Sequence, residues 1–216
     1  MKIPVAKEGY KILFACAALG IAGGFVHPAL FAVGAFFGSF SLYFFRDPER
    51  SLQVLPGQIV APADGKVVAI DEVQEREFLG MRCKRISIFL SIFNVHINRA
   101  PIGGRVEMVK YTPGKFAFAN TIDASARNEN NFIGIDGGDV RVAVKQIAGA
   151  VARRIICYCR PAQDIAAGER IGMIRFGSRT ELYLPLDCEV LVAVGETVRG
   201  GISLVGAYDA TIAKKA

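Results

Sequence analysis

The 216-residue sequence predicts a mainly β protein, a β-rich α+β fold with a barrel- or sandwich-like core of short strands and an N-terminal hydrophobic helical hairpin. Three observations predict it. An apolar run without Asp, Glu, Lys or Arg covers residues 12–45. From Pro56-Gly57 onward the chain changes to short β-type runs separated by turn residues. Beyond the N-terminus only residues 148–154 could start a helix, and they are too few to define one. With 52% hydrophobic residues the chain can bury a full core without staples, which excludes disordered, collagenous and disulfide-miniprotein classes.

The elements follow in chain order. Residues 1–11 are a basic segment carrying Lys2, Lys7 and Lys11. The apolar run 12–45, the source of the positive mean hydropathy of +0.34, is divided by His27-Pro28 into stretches of 15 and 17 residues. Each is shorter than the roughly 20 apolar residues that cross a bilayer. Lysines before the run and Arg46 and Arg50 after it favour keeping both ends on the cytoplasmic side. A re-entrant or tight membrane-associated hairpin is therefore expected, in preference to one long span. A cleaved signal peptide fits less well, because the run far exceeds the roughly 7–15 residues of a signal core. Arg46 and Arg50 are expected near lipid head-group level.

Residues 46–216 form the β-rich domain. Strand-like runs occupy 59–60, 66–73, 85–90, 105–110, 140–147, 154–159, 170–176, 181–184 and 190–194. Asp64-Gly65, between the first two, reads as a hairpin turn. Residues 111–131 read as a long polar loop, a common place for function. The net charge of +6 fits an anionic lipid surface more simply than nucleic acid. Five cysteines at irregular spacing, with no C-x-x-C pair, indicate neither a disulfide framework nor a zinc site. Cys157 and Cys159, alternating on a strand, are expected as small buried apolar groups.

The chemistry is narrowed by what is missing. His96 is the only histidine outside the apolar run, so a His-rich metal centre is excluded. G-x-S-x-G, G-x-G-x-x-G and G-x-x-x-x-G-K are all absent, which removes the usual support for acyl hydrolases, dinucleotide enzymes and nucleotide triphosphatases. Gly177-Ser178 between two strands is an ordinary turn signal. The same dipeptide permits self-cleavage, because a serine hydroxyl lies near the preceding carbonyl carbon and glycine removes the obstructing Cβ. Ester formation, elimination and hydrolysis would then leave a pyruvoyl group. Such chemistry needs a base, for which His96 is the available imidazole, and Asp64 is the candidate to orient it.

These stretches carry a resemblance. Arg46-Asp47-Pro48, Ala61-Pro62-Ala63-Asp64-Gly65, Phe93-Asn94-Val95-His96-Ile97-Asn98-Arg99-Ala100-Pro101, the Asn-rich segment ending at Asn131, Ile147-Ala148-Gly149 with Ala152-Arg153-Arg154-Ile155, and Phe176-Gly177-Ser178-Arg179 occur in the order found in short-form, pyruvoyl-dependent phosphatidylserine decarboxylases, a family the chain resembles over almost its whole length. The resemblance implies cleavage between Gly177 and Ser178 into a β chain, 1–177, and an α chain of 39 residues, 178–216, which stay together as a heterodimer. It places the Asp-His-Ser arrangement on Asp64, His96 and Ser178, with Ser178 becoming the pyruvoyl cofactor that forms a Schiff base with substrate. Where other members carry a second histidine the chain has Arg99, so His96 is assigned to both self-cleavage and decarboxylation. Phosphatidylserine is the implied substrate and a lipid surface at the cytoplasmic face of the cell membrane the implied partner, with oligomeric state open. Lys115, Arg127 and Asn128 are expected to hold the phosphate. An ether-lipid substrate such as archaetidylserine, with the same head group, is one alternative. A non-enzymatic membrane adaptor with a biotinyl- or lipoyl-like β domain is another, suggested by the strand-turn texture of 189–206.

Overall fold

The computed structural model describes residues 5–50, 53–114, 128–149, 154–175 and 178–208. The chain divides into two compact units, residues 1–49 and 50–216. The first is a helical hairpin of α1 (Lys7–Gly24) and α2 (Pro28–Phe44). The turn follows from its sequence: His27 caps α2, its Nδ1 accepting the Ala29 N–H at 3.1 Å, and Pro28 supplies the fixed φ of a first helical position. Small residues let the helices approach closely. A Cβ on Gly34 would collide with the backbone of Gly20, so the crossing depends on both glycines. The base is closed by a bridge between Val5 and Arg46 and by the Ala6 N–H donating to the Phe45 carbonyl at 2.8 Å.

The hairpin leaves its outer surface apolar, with Phe14 78% and Phe25 89% exposed and Leu19, Val26, Phe36 and Phe37 also outside. At about 1.5 Å per residue each helix is roughly 26 Å long. Among the described residues, no helix is long and apolar enough to cross a membrane.

The second unit is built from strands β1 (Gln58–Val60), β2 (Gly65–Gln74), β3 (Arg82–Leu90), β4 (Ile97–Arg99), β5 (Gly104–Thr112), β6 (Asn130–Asp136), β7 (Arg141–Ala148), β8 (Ile155–Cys157), β9 (Asp164–Ile165), β10 (Arg170–Ile174), β11 (Ser178–Pro185), β12 (Glu189–Val190), β13 (Thr197–Val198) and β14 (Leu204–Ala207). The main sheet runs β13-β2-β3-β11-β7-β6-β5-β9, and two three-stranded sheets, β1-β14-β12 and β4-β10-β8, complete the unit. Alternation along the strands sends Val67, Ile86, Ile88, Leu90, Ile133, Val142, Val144, Leu182 and Leu184 into one core. Each such side chain contributes roughly 1.5–3 kcal/mol by leaving water. Phe78, Leu79, Cys83, Phe132, Ala143 and Tyr183 form a second cluster.

The mainly β reading with an N-terminal hairpin agrees with this architecture, and three local expectations are corrected. Asp64-Gly65 is not a hairpin: β1 pairs with β14 while β2 pairs with β3, so the turn passes the chain from one sheet to another. Gly65, at φ +156°, lies so close to the Phe89 carbonyl that no Cβ fits. The expected loop 111–131 is shorter, because β5 runs to Thr112 and β6 begins at Asn130, the two pairing end to end. Ala148, read as the first residue of a stretch too short to define a helix, is the last residue of β7.

The β2–β3 connection is fixed by Glu75, whose buried carboxylate accepts the N–H groups of Glu77, Phe78 and Leu79 and so seats Phe78 and Leu79 on the second cluster. Glu75→Ala strands three backbone donors, and the expected loss is about 1–3 kcal/mol, seen as a lower urea midpoint.

Candidate active site

Strand β11 is the spine of the site. It lies between β3 and β7, and its first residue, Ser178, is paired with Leu90 on one side and Ala148 on the other. Thr180, Leu182 and Leu184 face the main core. Arg179, Glu181 and Tyr183 face the opposite side, where the fully buried Glu181 accepts from the Tyr183 hydroxyl at 2.6 Å and pairs with Arg85 and Arg179 at 3.7 and 3.8 Å. Burial, then Glu181, push the Tyr183 phenol well above its ordinary range, so it stays a donor. Burial lowers the Arg179 guanidinium, opposed by Glu181.

His96 precedes β4 and is completely buried. Its Nδ1 lies 2.9 Å from the Asn94 carbonyl, which makes Nδ1–H the donor and Nε2 the basic nitrogen. The His96 carbonyl accepts the Ile174 N–H at 3.2 Å, tying the histidine to the segment that leads into Ser178.

Asp64 sits differently from expectation. Its carboxylate receives a two-pronged ion pair from Arg50, at 2.5 and 2.8 Å, and the Gly200 N–H at 2.8 Å. Arg50 also donates to the Gly200 carbonyl. These bonds run from the carboxylate to Arg50 and Gly200, while the Nδ1 of His96 faces the Asn94 carbonyl. The reason is electrostatic: a carboxylate this buried needs an opposite charge, and the planar guanidinium fork matches both oxygens. Arg50, expected at head-group level, is in turn almost wholly buried on Asp64, its side chain 7% exposed. Arg99, at the position of the family's second histidine, is buried and donates to the Gly168 carbonyl at 2.9 Å.

Around these residues lies a buried polar layer that the sequence reading did not single out. The Asn131 amide donates to Gln146 at 2.9 Å, Gln146 donates to Asn98 at 2.8 Å, and Asn98 donates to the Thr180 hydroxyl oxygen at 3.0 Å. Gly172 of β10 has no room for a Cβ, which would meet the Ile156 carbonyl of β8 first and the Gln146 amide next. Cys159 is buried as expected, its thiol donating to the Ile171 carbonyl at 3.7 Å, whereas Cys157 is only half-buried and its thiol donates to the Cys159 carbonyl at 3.6 Å. Asn128 is buried and donates to the Ala148 carbonyl at 2.7 Å, anchoring the entry to β6 beside the strand partner of Ser178. Lys115, Arg127 and Gly177 lie outside the described residues. The signals for the missed groups were faint: a polar Gln146 inside an apolar strand, and Asn98 two residues after His96. A cavity of about 670 Å³ among Met81, Arg141, Leu186 and Tyr208 lies beyond the other end of β11.

Removing Arg50 leaves a buried carboxylate without its cation. Arg50→Met is expected to cost about 3–5 kcal/mol, measured as a lowered urea midpoint, whereas Asp64→Asn with Arg50→Met together costs less than the sum.

Comparison with known proteins gives this arrangement its context. The sequence profile of a family described as Phosphatidylserine decarboxylase matches residues 37–206. A protein of Desulfotalea psychrophila named Phosphatidylserine decarboxylase proenzyme is 40% identical over 207 residues, 95% of this chain and 97% of its own. One of Symbiobacterium thermophilum with the same name is 45% identical over 204 residues, 94% of each chain, and one of Syntrophus aciditrophicus, again with that name, is 46% identical over 170 residues, 78% of this chain and 80% of its own. The adaptor alternative is not favoured by relatives that are named as enzymes along nearly their full length. A match of this extent means that the protein belongs to the phosphatidylserine decarboxylase family.

Proposed function

We propose that the family's reaction, loss of the phosphatidylserine carboxylate as carbon dioxide to give phosphatidylethanolamine, runs in this chain on a pyruvoyl group that the chain makes from Ser178. The observation that carries this reading is the position of Ser178: it is the first residue of a strand held on both sides, and the segment before it is bonded to the backbone of buried His96.

Self-cleavage begins when the Ser178 hydroxyl attacks the Gly177 carbonyl carbon and its proton passes to His96 Nε2, exchanging the amide for an ester. Loss of the Ser178 Cα proton then expels the Gly177 carboxylate. The dehydroalanine left behind takes up a proton at Cβ as its amine becomes an imine, which water hydrolyses to the ketone with release of ammonia. Asp64 contributes through the backbone: with Arg50 and Gly200 it fixes the turn whose Pro62 carbonyl receives the Arg99 N–H at 2.9 Å.

In decarboxylation the pyruvoyl carbonyl supplies the electron sink that a Cα carbanion requires. His96 returns a proton to Cα. Lys115 and Arg127 are assigned to the phosphate. The two chains stay associated because β11 belongs to the small chain while β3 and β7, which flank it, belong to the large one. The apolar outer surface of α1 and α2 supports docking on an anionic membrane, where a diacyl substrate resides.

Ser178→Ala is expected to remain one 23.3 kDa chain without decarboxylase activity, whereas the wild type loses a fragment of 39 residues, about 4 kDa, on a denaturing gel. His96→Ala is expected to stay uncleaved; cleavage at the wild-type rate would remove His96 from the mechanism. In flotation with phosphatidylserine-containing vesicles the wild type is expected to rise with the lipid, and Phe14→Asp with Phe36→Asp to remain largely in the aqueous fraction.

A further inference from the structure

Thr180, Asn98, Gln146 and Asn131 are all at most 2% exposed, and none carries a charge. Burying four such groups is costly unless they satisfy one another, and here they do so in one direction, each amide donating to the next residue's oxygen. A core of this size could have been packed with apolar residues, as its other end is. The polar layer therefore calls for an explanation other than stability.

Asn98 is the point where its bonds converge. One hydrogen of its amide goes to Thr180 Oγ1 at 3.0 Å and the other to the Pro62 carbonyl at 3.4 Å, while its oxygen accepts from Gln146 at 2.8 Å. Each partner stands two residues from a position of the site. Thr180 follows Ser178 by two, Pro62 precedes Asp64 by two, Gln146 precedes Ala148, the strand partner of Ser178, by two, and Asn98 itself follows His96 by two. One side chain thus fastens together the four backbone segments on which the reacting groups are placed.

We infer that Asn98 is the positioning residue for self-cleavage: its carboxamide sets the distance between His96 and the bond before Ser178. This rests on the self-cleavage reading above. Asn98 touches none of the reacting atoms and acts through β4, β11 and the Pro62 turn. Both of its N–H donors and its oxygen are engaged, so a residue of similar size lacking the donors cannot replace it. Misplacement of a reacting group by about 1 Å is enough to slow a reaction on the order of 100-fold.

The experiment follows cleavage of freshly refolded full-length precursor over time on denaturing gels, with thermal unfolding monitored in parallel. Asn98→Ala is expected to cleave about 100-fold more slowly than the wild type even in the fraction that is folded. Because that variant could fail to fold, Thr180→Val tests the same bond in a residue suited to a strand: slow cleavage is expected there, with Thr180→Ser, which restores the hydroxyl, returning cleavage to near the wild-type rate. A merely structural role would lower the unfolding temperature of Thr180→Val and leave the rate of its folded fraction unchanged. Folded Asn98→Ala or Thr180→Val cleaving within twofold of wild type overturns the inference and leaves self-cleavage standing. A Thr180→Ser protein as slow as Thr180→Val also overturns it. A wild-type precursor that never cleaves, like Ser178→Ala, overturns the self-cleavage reading and this inference with it.

Discussion

The two-sided hydrogen bonding of β11 is the constraint on which the site depends. A serine at the end of an edge strand would fray, and the geometry between its hydroxyl and the preceding carbonyl would be lost to thermal motion. Between β3 and β7 the backbone of Ser178 is fixed, and with it the place of the bond before it. The opposite face of the same strand is secured by buried charge: Glu181 between Arg85, Arg179 and Tyr183 makes a shift of β11 by one residue expensive, since a slip would carry the carboxylate into the apolar core.

Stability and function are distributed along the strand in opposite directions. At Leu182 and Leu184 the inner face is apolar and holds the domain together. At Thr180 it turns polar, and the partners it meets are amides and hydroxyls. The ion pair of Asp64 with Arg50 stands at the same end, tethering a turn that would otherwise be free to move against β4. The hairpin follows a different logic, with its close contacts made by glycines and its large side chains turned outward, the reverse of a water-facing bundle.

The coarse fold was legible because hydrophobic period is written directly in the chain: the apolar run divided by His27-Pro28, and the short alternating segments after Pro56, each became an element. β6 was hidden because Asn130 and Asn131 look like loop residues, whereas Asn131 is inward-facing and satisfied by Gln146. Ser178 and His96 stood out as candidates because few chemically competent groups exist, and the family resemblance gave them their proposed roles. Arg50 and Asn98 could not. An arginine after an apolar run reads as a topology signal, and only the folded chain shows that a buried carboxylate fourteen residues on has claimed it. Neutral amides carry no charge or motif to mark them, and their convergence is a property of three dimensions.

The placement of β11 also gives the molecule a history. While the chain is whole, this strand finds its slot at the high effective concentration of a tethered segment. On the self-cleavage proposed above, the bond before Ser178 would be cut and the same strand would then be held only by hydrogen bonds and burial, as a guest between two strands of another polypeptide. Folding and refolding then cease to be the same problem: the precursor assembles as one molecule, whereas its mature parts, once separated in dilute solution, must find each other by diffusion. A protein matured in this way would persist through its barrier to unfolding, and such maturation would work as a ratchet that lets each molecule make the easy assembly once.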